Sequence, residues 1–235
     1  SIGEKFSTIY PFTTEMISGY IEYMDVSCKS VLTVGSSFDQ AFNALLYGAK
    51  DVTVIDINKN ALEFYKRKLE ILLTSNKDEF YKNVLQLPFN YNFDELFLKR
   101  DVSIMNSYMQ SEDNFSKLKE ILSSKTIKFI NDDIFRFDKI ENKYDRIIFS
   151  NVLQSIKAFL TVNTKDEFIK CFNMWKEYLN EDGLLQLLYI YSYNPVSFNH
   201  EEAFKLALTC LDEMFYIHKF DNNRKTDAIV VYEKK

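Results

Sequence analysis

The sequence predicts an α/β fold built on a mostly parallel, seven-stranded sheet, with a C-terminal antiparallel hairpin strand and a helical insertion. Three observations predict it. Short apolar, β-branched runs alternate with longer helix-spaced segments, the pattern of a parallel sheet covered by crossover helices. The first run, Val31-Leu32-Thr33-Val34, passes through Gly35-Ser36-Ser37-Phe38 into the helix-forming Asp39-Gln40. The second, Val52-Thr53-Val54-Ile55, ends on Asp56-Ile57, with Asp56 placed 21 positions after Gly35. Ligands of open parallel sheets sit beyond the carboxyl ends of the strands, and this spacing suits an acid that reaches a ribose diol. The two runs together imply a Rossmann-like arrangement and an adenosine-containing cofactor.

Residues 1–26 form an N-terminal cap region. The apolar spacing of Met16, Ile17, Tyr20, Ile21 and Met24 predicts a helix over about 14–24, started by Thr13-Thr14-Glu15. The first strand spans 31–34 and its helix spans 40–47, closed by Gly48. A strand over 52–55 and a long helix over 59–74 follow, with Lys66-Arg67-Lys68 read as that helix's polar side. The alternation then breaks. Residues 75–125 are polar and helix-rich, longer than a crossover needs, and so predict a helical insertion serving as a lid or cap.

Alternation resumes with a strand over 126–130, running into Asn131-Asp132-Asp133-Ile134, and a strand over 144–149, ending at Ser150-Asn151. Helical sequence reaches position 179, Asp182-Gly183 turns the chain, and 184–191 is a fifth strand. A helix over 201–215 leads to strands at 216–220 and 228–232, joined by the polar turn 221–225 as an antiparallel pair. With no internal repeat or linker, residues 1–235 read as a single domain.

Composition narrows the function classes. A net charge of −5 and a pI near 5.3 oppose a nucleic-acid tracker, which needs a basic face. Cys28, Cys171 and Cys210 are scattered, and neither they nor His200 and His218 form a metal-spaced set. No segment has the run of apolar residues that a membrane span requires, and no signal peptide is evident, so a reducing cytoplasm is expected. The 15 Tyr and 21 Phe are mostly core by expectation.

The ordering of elements resembles the class I S-adenosylmethionine-dependent methyltransferases, whose sheet ends in such a hairpin. The likeness is carried by Val34-Gly35-Ser36-Ser37 with Asp56, by Asn131-Asp132-Asp133-Ile134 and by Tyr144-Asp145-Arg146-Ile147-Ile148. Tyr10-Pro11-Phe12-Thr13-Thr14-Glu15 with Val31–Gln40 is similar to the group related to betaine-lipid 3-amino-3-carboxypropyl transferases, where a Gly-Ser-Gly-Asp-Gln type turn is found. The chain departs from both patterns. Ser37 and Phe38 stand where glycines are usual, and Ser150-Asn151-Val152-Leu153 replaces the Asn-Pro-Pro-aromatic run of amino-group methyltransferases.

The resemblance implies S-adenosyl-L-methionine as cofactor and assigns its handles. Backbone N–H groups of Gly35, Ser36 and Ser37 suit the carboxylate, Asp39 the ammonium, with Gln40 in the same turn. Asp56, beside Ile57, is expected to accept from the ribose hydroxyls. Asp133, or its rival Asp132, is expected to accept from the adenine amino group while Ile134 packs on the ring. Ser150 and Asn151 face the sulfonium region by topology, and Tyr10, Phe12, Tyr20 and Phe38 offer aromatic faces to the cation. For each there is a plainer alternative: an ordinary turn at Gly35, a helix cap at Asp132 or Asp133, a loop at Ser150, core for the rings. Tyr189, Tyr191, Tyr193 and the insertion are the expected acceptor side. The expected reaction is methyl transfer to a small-molecule acceptor. Aminocarboxypropyl transfer and a non-catalytic binding module are the alternatives, and no catalytic base is identified.

Overall fold

A computed structural model describes residues 9–89, 98–137, 141–155, 164–194, 196, 201–208 and 215–235. Its centre is a seven-stranded sheet of β1 (Ser30–Val34), β2 (Asp51–Asp56), β3 (Lys128–Asn131), β4 (Tyr144–Ile148), β5 (Leu179–Ile190), β6 (Phe215–Asn222) and β7 (Lys225–Glu233). The order across the sheet is β3-β2-β1-β4-β5-β7-β6. The first five in that order are parallel, while β7 runs antiparallel to both β5 and β6. The expected fold class is therefore observed, terminal hairpin included. The chain steps outward from β1 to β3 and then returns to β4 on the other side of β1. This reversal opens a crevice at the carboxyl ends of β1 and β4, the place where such sheets take ligands.

Alternation along the strands fills two cores. Val31, Val52, Val54 and Ile148 join one apolar cluster, and Leu32, Val34, Ile55 and Ile147 join the other, on the opposite face. The second cluster is covered by α7 (Thr164–Glu177), whose Trp175 is buried and donates Nε1–H to the Ile134 carbonyl at 2.8 Å. The first is covered by α2 (Asp39–Leu46) and α3 (Ala61–Thr74). Helix α2 ends in a Schellman arrangement: Gly48 at φ +92° donates to Leu45, and Ala49 donates to Ala44.

All eight residues of α2 are buried, so a second layer must cover its outer face. That layer is the insertion, made of α4 (Lys77–Val84), α5 (Lys99–Met105), the 3-10 turn Ser107–Met109 and α6 (Glu112–Ser124). Asn43 on α2 donates Nδ2–H to Asn106 Oδ1 at 2.9 Å and accepts from the Tyr108 N–H at 3.4 Å. Pairing these buried amides avoids the cost of leaving them unsatisfied.

A buried cation joins the layers. Lys68 of α3 is fully buried and directs its three ammonium hydrogens at Pro11 O (2.7 Å), Ser37 O (2.8 Å) and Asp39 Oδ1 (3.0 Å). The Phe12 ring centroid lies 4.6 Å away. Asp39 also accepts from Tyr108 Oη at 2.6 Å and from the Thr13 N–H at 2.7 Å. Four segments thus converge on one ion pair: the N-terminal stretch, the β1–α2 turn, α3 and the insertion. Burial lowers the Lys68 pKa, and the Asp39 carboxylate opposes that shift.

Three sequence expectations differ from the structure. The N-terminal helix is confined to α1 (Ile17–Tyr20), and Met16 precedes it without a side-chain cap. Residues 13–16 instead bond elsewhere: Thr13 N–H to Asp39, Thr14 Oγ1 with Tyr191 Oη, and Met16 N–H to Tyr189 Oη. Tertiary partners outbid local helix there. At Asp182-Gly183 the chain does not leave the sheet; β5 already begins at Leu179, and pairing jumps from Tyr144↔Leu179 to Arg146↔Leu184. The last helix, α8, spans Glu201–Leu208, and Phe215 already belongs to β6, while 209–214 lie outside the described residues.

Lys68→Ala leaves the Asp39 carboxylate without its cation in a dry site. Urea unfolding is expected to show a loss of roughly 3–5 kcal/mol; a loss below about 1 kcal/mol would show that the pair behaves as a surface one.

Candidate functional site

The crevice at the sheet's carboxyl edge is a cavity of about 220 Å³. Val34 at the end of β1 and Ser36 of the first turn, Ile55–Asn58 at the end of β2, Asp132–Phe135 after β3 and Ser150–Val152 after β4 line it, together with Ile9 and Tyr10. Its lining combines the apolar Ile57, Ile134 and Phe135 with the carboxylates of Asp56, Asp132 and Asp133.

Asp56 stands at the end of β2 and is anchored by backbone. Its Oδ2 accepts from the Ser36 N–H at 3.0 Å and its Oδ1 from the Asn58 N–H at 2.8 Å. A carboxylate has about four acceptor sites, so capacity remains for a further pair of hydroxyls. Burial raises its pKa to about 6, against the pull of those two N–H groups. Gly35 permits this approach: a Cβ there would sit 2.3 Å from Asp56 Oδ2. The rest of the turn does without glycine. Ser36 (φ +48°) and Phe38 (φ +67°) occupy the left-handed region, a strain of order 1 kcal/mol each. Phe38 is held there by burial and by stacking on Tyr65 at 4.8 Å.

After β3, Asp133 Oδ1 accepts from the Phe135 N–H at 2.9 Å, and its Oδ2 pairs with Arg136 at 3.2 Å. Asp132 Oδ1 accepts from the Asp133 N–H at 2.7 Å. Both acids therefore also stabilise their own turn.

The third wall is the most constrained. Ser150 sits at φ +59°, and the buried Gln186 side chain grips its backbone, accepting from Ser150 N–H at 2.7 Å and donating to Ser150 O at 3.0 Å. This amide continues the β4–β5 ladder past the strand end. Behind the wall, Ser150 Oγ donates to Glu15 Oε2, Tyr20 Oη donates to Glu15 Oε1 at 3.4 Å, and the Asn151 N–H also serves the carboxyl. Burial raises the Glu15 pKa to about 8, so it holds its proton at neutral pH.

Of the residues proposed from sequence, Ser36, Asp56, Ile57, Asp132, Asp133, Ile134, Ser150, Asn151 and Tyr10 meet on this cavity. Gly35 backs it through Asp56. Ser37, Asp39 and Gln40 do not reach its wall. Asp39 is committed to Lys68, Tyr108 and Thr13 and has no open face for an ammonium. Ser37 is buried, its carbonyl on Lys68, and Gln40 turns inward to Ser150 Oγ at 3.5 Å. The Gly35 and Ser36 N–H groups expected to hold an anion already donate to Ile55 O and Asp56. Phe12, Tyr20 and Phe38 are fully buried core or network residues. Tyr189 and Tyr191 bond to Asp227 and Thr14. Described residues of 75–125 do not line the cavity; they cover α2.

Glu15 and Gln186 escaped the sequence reading, and Lys68, read there with Lys66 and Arg67 as the polar side of its helix, is instead fully buried. Ala61, Phe64, Tyr65, Lys68 and Leu72 share the buried face of α3, a helical spacing that marks Lys68 as inward despite its basic neighbours. Gln186, a lone amide in Leu184-Leu185-Gln186-Leu187-Leu188, carried a similar signal. Glu15 carried none beyond its place in a capping pattern.

No protein-family model and no curated protein matches the chain. Among solved structures it is similar to the N-methyltransferase NodS of Bradyrhizobium japonicum WM9 in complex with S-adenosyl-L-homocysteine, at 10% identity, covering 92% of this chain and 85% of that one, TM-score 0.47. It is similar to magnesium protoporphyrin IX methyltransferase of Synechocystis PCC 6803 with bound S-adenosylmethionine, at 11% identity, 92% and 74% coverage, TM-score 0.47. An rRNA methylase of Streptococcus thermophilus is similar at 12% identity, 92% and 93% coverage, TM-score 0.44. Among the described residues no helix is long and apolar enough to cross a membrane.

Glu15 binds its proton more tightly folded than unfolded, so the native state holds more protons than the unfolded chain between pH 4.5 and about 8. Stability from this group is complete below pH 4.5 and falls as pH rises through 8, by about 1.4 kcal/mol per unit at most. Urea midpoints measured from pH 5 to 8.5 are expected to decline, and Glu15→Gln is expected to remove most of the slope above pH 6.5, where Asp56 no longer contributes. An unchanged slope in the variant would contradict the assignment.

Proposed function

We propose that the chain is a transferase that binds S-adenosyl-L-methionine in this crevice and passes its methyl group to a small-molecule acceptor. The observation that carries the reading is Asp56: a backbone-anchored carboxylate at the end of β2, sharing one cavity with the apolar Ile57, Ile134 and Phe135 and with residues from both sides of the point where strand order reverses. That is the chemistry of a nucleoside site. Asp56 accepts from the ribose hydroxyls, Ile57, Ile134 and Phe135 enclose the adenine, and Asp132 or Asp133 accepts from its amino group. Ser150 and Asn151 border the reacting end.

The fit is fullest for the nucleoside half. Polar groups of the first turn that sequence assigned to the amino-acid half are spent inside the protein, so that half depends on Tyr10, Ser150 and Asn151 instead. The bound sulfonium supplies an activated carbon, and in-line displacement from it needs positioning above all. The chain contributes that positioning through the gripped Ser150 backbone and the anchored Asp56. It contributes exclusion of water through the lining residues Ile9 and Tyr10. A hydroxyl or amine acceptor also needs a proton taken.

Calorimetric titration of the whole chain with S-adenosylmethionine, S-adenosylhomocysteine and NAD tests the reading. Binding of both sulfur nucleosides is expected, and Asp56→Asn is expected to weaken both at least tenfold, since a hydrogen bond to a charged group contributes about 1.5–3 kcal/mol. Binding of NAD alone would overturn it. The nucleoside left after turnover separates the chemistries: S-adenosylhomocysteine marks methyl transfer, methylthioadenosine marks aminocarboxypropyl transfer.

A further inference from the structure

Behind the wall at Ser150 lie buried polar side chains that the proposed reaction has not used. Glu15 is 3% exposed and lies directly behind the cavity lining, joined to Ser150 Oγ and the Asn151 N–H. No cationic side chain among the described residues pairs with it; the nearby buried lysine, Lys68, is fully committed to Pro11, Ser37 and Asp39. A second observation comes from Gln40, 1% exposed, which reaches the same Ser150 hydroxyl with Nε2 and leaves Oε1 without a hydrogen-bond partner. Two buried side chains, one carboxyl and one amide, thus flank a cleft-lining serine with no cationic partner among the described residues.

Burial is what keeps Glu15 neutral without a ligand: the hydrogen bonds from Tyr20 and the Asn151 N–H favour its ionised form, and Asp227 opposes it. Asp227 is itself held by Tyr189 Oη, the Ser192 N–H and Asn222 Nδ2 at 2.8 Å. A cation arriving beyond Ser150 changes the balance, because an opposite charge nearby favours the ionised carboxyl.

We infer that Glu15 is the charge partner of the donor's sulfonium: the carboxyl gives up its proton when the cation occupies the Ser150 end of the cleft, so the site tells the charged donor from its uncharged thioether product. This rests on the proposed cofactor and adds to it a residue that sets donor-over-product preference. Its expected signature is proton release specific to the charged nucleoside. S-adenosylmethionine and S-adenosylhomocysteine share the ribose, adenine and amino-acid groups, so the contributions of Asp56 and the other cleft acids cancel between them. The sulfonium alone differs.

Calorimetry of the full chain at pH 7, in buffers of different ionisation enthalpy, reads protons released on binding. S-adenosylmethionine is expected to release close to one proton more than S-adenosylhomocysteine. Its affinity is expected to rise about tenfold per pH unit below pH 8 and then level off, with the thioether showing no such dependence. Glu15→Gln, which mimics the protonated carboxyl in shape, is expected to abolish the excess release and to cut the donor-to-product affinity ratio at least tenfold, leaving S-adenosylhomocysteine binding within about threefold. Equal proton release for the two nucleosides in the unmodified chain would overturn the inference while leaving the cofactor reading intact. Failure of both to bind would defeat the cofactor reading and this inference with it. The comparison in the unmodified chain needs no variant to fold, so a poorly folding Glu15→Gln leaves a decisive result.

Discussion

The ion pair of Lys68 with Asp39 is the constraint on which the arrangement of this molecule turns. A lysine with no solvent contact persists only if its charge and all its donors are answered, and here three oxygens from the N-terminal stretch and the β1–α2 turn do so. Satisfying it fixes the N-terminal stretch against the β1–α2 turn, and Tyr108 extends the anchor to the insertion. The turn carries Ser36, whose N–H anchors Asp56; the N-terminal stretch carries Tyr10 to the cavity lining and Glu15 to the rear of Ser150. A single buried charge pair therefore positions two walls of the cleft without touching it.

The strained residues follow a similar logic. Ser36, Phe38 and Ser150 hold left-handed backbone that glycine would adopt more cheaply. Each is fastened: Ser36 by Asp56, Phe38 by a buried aromatic stack, Ser150 by the two-point grip of Gln186. Glycine in these positions would leave more freedom to lose. The chain uses side chains for rigidity where a glycine-rich turn relies on open backbone, and the Gly35 and Ser36 N–H groups donate within the protein.

Much of the fold was legible because strands buried on both faces announce themselves. Val31–Val34 and Val52–Ile55 read as strands from composition alone, and Gly48 marked the end of α2 through its Schellman role. The edge of the site was legible as well, because Asp56 and Ser150 fall where strands end. What was not legible depended on contacts between distant segments. Asp39 read as a ligand group because nothing local reveals Lys68, 29 positions away, as its partner. Glu15 read as a helix cap because Ser150 lies 135 positions along the chain. Periodicity identifies a buried face; it does not say which polar group meets another there.

A nucleoside lying between Ile57 and Ile134–Phe135, with its ribose on Asp56, is the centre of the proposed function. A crystal structure of the chain soaked with S-adenosylhomocysteine measures that directly. The expected density places both ribose hydroxyls within hydrogen-bond reach of the Asp56 carboxylate and the sulfur beside Ser150. Ligand bound elsewhere on the molecule, with Asp56 still bonded only to Ser36 and Asn58, would contradict it.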